Sequence, residues 1–206
     1  MLRLTQQLDT EFDYNGNFLP LNLAFDNILR LFDLFADKTI RADWKVDIAC
    51  EMLINEYEIV KEADIYEKNE LLLFILKEFI QLDLSEEKSS DGEGASTRSF
   101  DFEKDAGMIY ASFMSVYNMD LFEQQGKLHF LKFMQLLEHI DDNSKIKEVI
   151  RIRTEPLPKP DKHNKAERER LQKLKSMYSL EKDMTEEEQQ EKLSQQFNQL
   201  GSFFGK

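Results

Sequence analysis

The sequence has few of the glycine and proline residues that form turns between β-strands, and few of the cysteines that cross-link a chain. Only 7 Gly and 4 Pro occur in 206 residues, which argues against a β-sandwich with its many turns and favours helices. Cys50 is alone, so a disulfide framework and a thiolate metal cluster are excluded. Its apolar neighbours indicate a small core residue rather than a nucleophile.

Long apolar runs are missing as well. The most apolar stretch, residues 71–80, is broken by Lys77 and Glu78 and is too short to span a bilayer. The first residues lack the apolar run of a signal peptide. We therefore expect a cytoplasmic chain with no membrane partner.

Basic side chains are outnumbered by acidic ones. The chain has 27 Lys and Arg against 40 Asp and Glu, a net charge of −13. The imbalance lies in the first 155 residues, with 17 basic and 31 acidic, whereas residues 156–206 carry 10 and 9. An acidic body repels phosphate backbones, so nucleic acid is not an expected partner.

Recognisable catalytic motifs are absent too. The sequence has no glycine-rich phosphate loop and no nucleophile elbow. His129 and His139 are ten residues apart on one predicted helix, where we expect them to point to different sides and to share no metal. His129 is interpreted as a helix-face or interface residue, not as a base. We expect no enzyme activity, no cofactor, no metal and no small-molecule substrate.

What the sequence does have is apolar residues at helical spacing. The first predicted helix ends near Asp37, the second runs from about residue 42 to residue 58, and the third runs from about residue 67 to residue 83. The stripe of the first helix comprises Phe25, Ile28, Leu29, Phe32 and Phe35. The predicted buried side of the second comprises Trp44, Ile48, Met52 and the neighbouring Ala49 and Leu53. Residues 71–76 are apolar all round, which predicts a central helix.

A helical hairpin is predicted over residues 105–140. Its first stripe comprises Ala106, Ile109, Tyr110, Phe113 and Tyr117. Its second helix is predicted from about Gly126 to Ile140, with a stripe that comprises Phe130, Phe133, Met134, Leu137 and Ile140. Asp101 or Asp105 suits an N-cap or first-turn position. Residues 141–144 supply a turn and a cap for a short helix that closes with Arg151 and Arg153.

Three segments lack the helical spacing of apolar residues that marks the rest of the chain. Residues 1–21 are predicted as an irregular arm, with a two-residue Asn15-Gly16 hairpin as the alternative. Residues 85–99 hold no large apolar side chain, which is typical of a flexible acidic loop. Pro156, Pro158 and Pro160 predict a semi-rigid spacer.

The predicted fold is therefore all-α: a compact multi-helix bundle with a flexible acidic loop and a C-terminal helical appendage. We expect a helical core domain at residues 1–155 with the loop at 85–99. A Pro-rich spacer at 156–164 follows, and then a charged helical extension at 165–206.

One set of positions carries a family resemblance. The set comprises Asp101, Phe102, Asp105, Ile109, Tyr110, Phe113, Tyr117, Asp120, Leu121, His129, Phe133, Arg151 and Arg153. With their neighbours, these residues resemble the core motif of the bacteriophage gene-product-fifteen family of tailed phages and prophages of Gram-positive bacteria. The family usually has Gly where this chain has Asn118, and Asn tolerates the left-handed conformation that Gly would supply.

The resemblance implies a part in phage tail morphogenesis, because genes of this family lie in the tail module near the tape-measure gene. We expect a non-catalytic assembly chaperone for the tape-measure protein and the tail tube subunit. It would act in the host bacterial cytoplasm, be absent from the mature virion, and associate with itself. The alternatives are a minor structural component that stays in the tail and a prophage-encoded host-interaction protein.

The partner surface is predicted in the charged extension. Its helix at residues 165–180 has little apolar content and is expected to pack on something. The side chains predicted to bind a partner are Leu171, Leu174, Tyr178, Phe197, Phe203 and Phe204.

Overall fold

A computed structural model describes residues 5–82, 99–161 and 164–180. The elements in chain order are β1 (Glu11–Tyr14), β2 (Asn17–Pro20), α1 (Phe25–Ala36), α2 (Ala42–Leu53), a 3₁₀ turn (Tyr57–Ile59), α3 (Ile65–Glu78), α4 (Ala106–Tyr117), α5 (Phe130–Glu138), α6 (Lys145–Thr154) and α7 (Lys165–Tyr178). The described chain forms two compact units. Unit 1 comprises residues 5–82 and 125–134, and unit 2 comprises residues 99–124, 135–161 and 164–180.

The N-terminal arm is a β-hairpin, so the all-α prediction was too simple. The described chain is mostly helical and also has a two-stranded antiparallel sheet in which Phe12 pairs with Leu19. Asn15 and Gly16 both have positive φ, 53° and 84°, as a type I′ turn requires. The structure thus contains the Asn-Gly hairpin, which the sequence analysis gave as the alternative to an irregular arm.

Unit 1 is closed by backbone pairing between distant segments. The amide of Phe25 donates to the carbonyl of Leu128 at 2.9 Å, and that of Phe130 donates to the carbonyl of Leu23 at 2.8 Å. These bonds place the first turns of α1 and α5 side by side. The rings of Phe25 and Phe133 stack there at 4.8 Å. The predicted first helix is confirmed. Phe25 and Ile28 of its predicted stripe are buried and the other three residues are half-buried, while Leu31, outside that stripe, is fully buried.

The predicted buried side of α2 is confirmed at Ala49 and Leu53, which are fully buried, and wrong at Trp44. Trp44 is 60% exposed, while Lys45 and Val46 are buried. The Lys45 ammonium donates to the carbonyl of Phe35 at 2.8 Å, which satisfies a buried cation at the start of α2, beside the exposed Trp44. The helix ends at Leu53, five residues before the predicted end.

Helix α3 begins earlier than predicted because Asp64 caps it. The Asp64 carboxylate accepts from the amides of Tyr66 and Glu67, both at 2.9 Å. Its centre is not covered all round as predicted: Phe74 is 43% exposed. The ring of Phe74 instead packs edge-on against Phe12 of the hairpin at 5.5 Å.

In unit 2, helix α4 confirms the predicted segment but not its whole stripe. Ile109 and Phe113 are buried, whereas Ala106 is exposed and Ser112 is buried in its place. The Ser112 hydroxyl accepts from the amide of Ile146 at 3.3 Å, so α4 faces the first turn of α6. A polar residue on the buried side is what the apolar pattern could not predict.

The connection to α5 is longer than expected. Helix α5 begins at Phe130, whereas the sequence predicted a start near Gly126, because Gly126 has a positive φ of 69° and breaks the helical path. Ser144 caps α6 as predicted, accepting from the amide of Lys147. The predicted helix in the C-terminal extension is confirmed as α7.

The residues 85–98 of the predicted acidic loop, and residues 181–206 of the predicted extension, lie outside the described residues. Within unit 2, α7 packs on α6. The predicted division of the chain at residues 156–164 stays a prediction. In the described ranges, no helix is both long enough and apolar enough to cross a membrane.

Asn118 ends α4 in the left-handed conformation, with φ 49° and ψ 40°. Glycine adopts this conformation without the steric cost of a Cβ atom. We therefore expect N118G to raise the free energy of unfolding by roughly 0.5–1 kcal/mol, measured by urea denaturation. The matched control is A111G at an exposed position inside the same helix, which should lower it by roughly 0.5–1 kcal/mol. A loss of stability in N118G would show that the Asn118 side chain makes up for the strain.

Candidate functional site

A buried ion pair joins two positions of the family-like motif. Asp105, the N-cap residue of α4, is 1% exposed, and Arg153, in the last turn of α6, is 9% exposed. The guanidinium donates to both carboxylate oxygens, at 2.5 Å and 2.8 Å. The two side chains therefore form a bidentate pair, the arrangement in which Arg binds a carboxylate most strongly.

The same guanidinium gathers further segments of unit 2. Its Nε donates to the carbonyl of Tyr178 at 2.7 Å, and Nη1 also donates to the carbonyl of Ser99 at 3.2 Å. The amide of Asp101 donates to the Asp105 carboxylate at 2.9 Å. The residues just before α4, the start of α4, the end of α6 and the end of α7 thus meet at one charged group, which we term the Arg153 centre.

Helix α7 is held mainly by polar contacts around this centre. The Lys175 ammonium donates to the carbonyl of Arg153 at 2.7 Å. The Lys145 ammonium bonds the Tyr178 hydroxyl at 3.1 Å and lies 5.1 Å from the centre of its ring. The hydrogen bonds to Glu148 and Tyr178 raise the pKa of Lys145. No side chain of α7 is fully buried, so the attachment is shallow.

The structure places the predicted partner residues of α7 on its inner side. Leu171, Leu174 and Tyr178 are half-buried, at the helical spacing that puts them on one face. The opposite face is exposed. Phe197, Phe203 and Phe204 lie outside the described residues, and the assignment of all six side chains to a partner stays a prediction.

The two tyrosines of α4 have separate roles. The Tyr117 hydroxyl donates to the carbonyl of Leu136 at 2.9 Å, which ties the end of α4 to α5 within unit 2. Tyr110 lies 3.4 Å from the Asp120 carboxylate and packs its ring against Phe122 at 5.2 Å. Desolvation and the Asp120 charge raise the pKa of Tyr110, so its hydroxyl stays protonated and neutral.

His129 has a structural environment. It precedes α5 rather than lying on the helix, so the predicted common helix with His139 was wrong. Its Nδ1 accepts from the amide of Leu131 at 3.1 Å, which caps the helix and leaves the proton on Nε2, a buried atom with no hydrogen-bond partner. Desolvation, with the nearby Lys132 charge, lowers the pKa of His129 to about 4.

Unit 1 has a second buried cation that the sequence did not single out. The Lys68 ammonium donates to the Asp47 carboxylate at 2.6 Å, to the Tyr57 hydroxyl at 3.0 Å and to the carbonyl of Lys61 at 2.7 Å. All three of its protons are therefore used. In the sequence, the charged residues of α2 and α3 have the pattern of solvent-exposed positions. Nothing in that pattern indicated that these side chains would meet.

The lone cysteine lies in an environment that suppresses its reactivity. Burial raises the pKa of the Cys50 thiol to about 12, so Cys50 is protonated and inert at neutral pH. Among the described residues, no group of three or more His, Cys, Asp or Glu side chains could hold a metal ion. What the Arg153 centre does is mechanical: it fixes the positions of α4, α6 and α7.

The fold and the Arg153 centre define a mostly helical protein whose unit 2 is organised by one buried ion pair. A sequence model of the family described as Bacteriophage Gp15 protein matches residues 4–180. The chain belongs to this family, as the resemblance of its motif residues predicted. Comparison with curated proteins and with solved structures gives no match.

The low pKa of His129 makes a pH prediction. The imidazole has an ordinary pKa of about 6.5 when unfolded, so protons bind the unfolded chain first, and stability is lost as the pH falls from 6.5 towards 4. In H129N, the asparagine side chain keeps an acceptor for the Leu131 amide, but it has no group that titrates in this pH range. Between pH 7.5 and 5.5, the wild type should therefore lose about 1 kcal/mol more than H129N.

The measurement is urea denaturation at both pH values. H139N is the matched control, because it removes an exposed imidazole and leaves His129 in place. Equal pH dependence in H129N and the wild type would contradict the buried, neutral state of His129.

Proposed function

We propose that this protein is a phage tail assembly protein, a non-catalytic chaperone for the tape-measure protein and the tail tube subunit. Membership of the Bacteriophage Gp15 protein family over residues 4–180 carries this proposal. Genes of the family lie in the tail module near the tape-measure gene. The proposed site of action is the host cytoplasm, with the protein leaving before the virion is complete.

The attachment of α7 suits a binding role. The helix rests on unit 2 through its carbonyl groups and lysines, with Leu171, Leu174 and Tyr178 only half-buried. Shallow packing of this kind costs little to rearrange. We propose that residues 161–206 contact the partner, and that the inner face of α7 offers its apolar residues to a helical segment of the tape-measure protein.

Co-expression with the tape-measure protein encoded beside it tests this assignment. The full chain should co-purify with the tape-measure protein, and a chain ending at residue 160 should lose most of it. The point variant L171S/L174S should weaken capture at least tenfold, because two half-buried leucines contribute roughly 1 kcal/mol or more each. The matched control Q172S/S176A alters exposed positions of the same helix.

An unchanged pull-down from the truncated chain would show that residues 161–206 are not the contact. Circular dichroism must show that the point variants keep the helical signal of the wild type and that the truncated chain loses no more than the signal of α7, because removing α7 also removes the Tyr178 carbonyl from Arg153. Mass spectrometry of purified virions separates the chaperone from a structural component: a chaperone is absent, and a component is present in stoichiometric amount.

A further inference from the structure

Unit 1 exposes a group of large apolar side chains at the start of α3. Tyr66 is 81% exposed, and Ile59 and Ile65 are 41% and 39% exposed. Asp64 caps α3 and so holds Ile65 and Tyr66 on ordered backbone. Ile59 ends the 3₁₀ turn, with its amide donating to the carbonyl of Glu56 at 3.1 Å. We term Ile59, Ile65 and Tyr66 the α3 patch. An ordered, exposed tyrosine beside aliphatic side chains is typical of an interface anchor.

The surroundings of the α3 patch are acidic. The stretch from residue 55 to residue 70 contains six carboxylates and two lysines. Of these lysines, Lys68 is buried against Asp47, and Lys61 pairs with Glu58. Glu56, Glu62 and Glu70 are exposed. The patch therefore fits an occupant that combines cations with an apolar side chain.

Unit 2 exposes a surface of that kind. Helix α7 has five basic and two acidic residues. Arg170, Lys173 and Met177 are all exposed, and their spacing of three and four places them on one exposed face that flanks the inner residues Leu171 and Leu174. We term these three residues the outer stripe of α7.

We propose that the outer stripe of α7 in one copy docks on the α3 patch of a second copy. A chain with a net charge of −13 repels itself, so copies meet most favourably where the basic helix faces a carboxylate-rimmed surface. Arg170 and Lys173 can face Glu62 and Glu70, with Tyr66 offering its ring to a cation and Met177 covering the isoleucines. The proposal does not depend on the identity of the tail partner.

The two surfaces are different, so the contact is head-to-tail. Each copy that docks its outer stripe leaves its own α3 patch open for the next copy. Such heterologous contacts close into rings or extend into helical filaments rather than stopping at a dimer. An arrangement of this kind would present many copies of the inner face of α7 along a common axis.

Sedimentation velocity of the purified full chain tests the contact without any partner. The wild type should associate with rising concentration, and association should weaken between 50 mM and 500 mM salt, since exposed charges are screened. R170E/K173E and E62K/E70K should each lower the association constant at least tenfold. Y66S should also lower it, without any change of charge.

Mixing the two double variants gives the decisive result. An acidic stripe then faces a basic patch and a basic stripe faces an acidic patch, so the equimolar mixture should associate although neither variant does alone. The matched control K132E/K159E changes the net charge equally outside α7 and the patch, and it should associate like the wild type apart from its added repulsion. Circular dichroism checks that every variant is folded.

Two results would overturn the proposal. One is a wild type that stays monomeric at all concentrations in low salt. The other is a mixture of the double variants that associates no better than its components. Because the experiment contains no tape-measure protein, its failure is distinct from a failed pull-down, which would bear on the proposed chaperone function instead.

Discussion

The contact between Asp105 and Arg153 is the constraint on which unit 2 depends. A buried arginine is tolerated only when its charge is paired and its donors are used. The guanidinium meets this condition by bonding the Asp105 carboxylate twice and the carbonyls of Ser99 and Tyr178 once each. Because the partners come from different segments, satisfying one cation fixes the start of α4, the end of α6 and the end of α7.

This constraint explains how α7 can be ordered although none of its side chains is fully buried. A helix with no fully buried side chain gains little from apolar burial. Its position is set by two hydrogen bonds with Arg153, whose guanidinium donates to the Tyr178 carbonyl and whose carbonyl accepts from Lys175, and by the contact of Tyr178 with Lys145. The arrangement leaves one face of α7 half-covered and the other exposed. In the proposed account the first face binds the tail partner, and the second binds a neighbouring copy.

The sequence could predict the helices but not the polar centres. Helical spacing located α1, α4 and α7, and the Asn15-Gly16 dipeptide signalled the hairpin, because these signals are local. Trp44 was misplaced because the Lys45 ammonium found a carbonyl at Phe35, a contact that periodicity does not contain. Asp105 and Arg153 were both marked by the family resemblance, yet their pairing across 48 residues depends on how α4 and α6 pack. Nothing in the sequence indicated the surfaces at Tyr66 and Arg170, because they are recognised only by the solvent exposure of their side chains in the structure.

A double-mutant cycle on the buried pair tests the account most directly. It uses urea denaturation, followed by circular dichroism, of the wild type, D105L, R153M and the double variant D105L/R153M. Each single variant leaves an unpaired buried charge and should cost roughly 3–5 kcal/mol, while the double variant should cost clearly less than the two together. Costs below about 1 kcal/mol for the single variants, or costs that simply add, would contradict a structure organised by this ion pair.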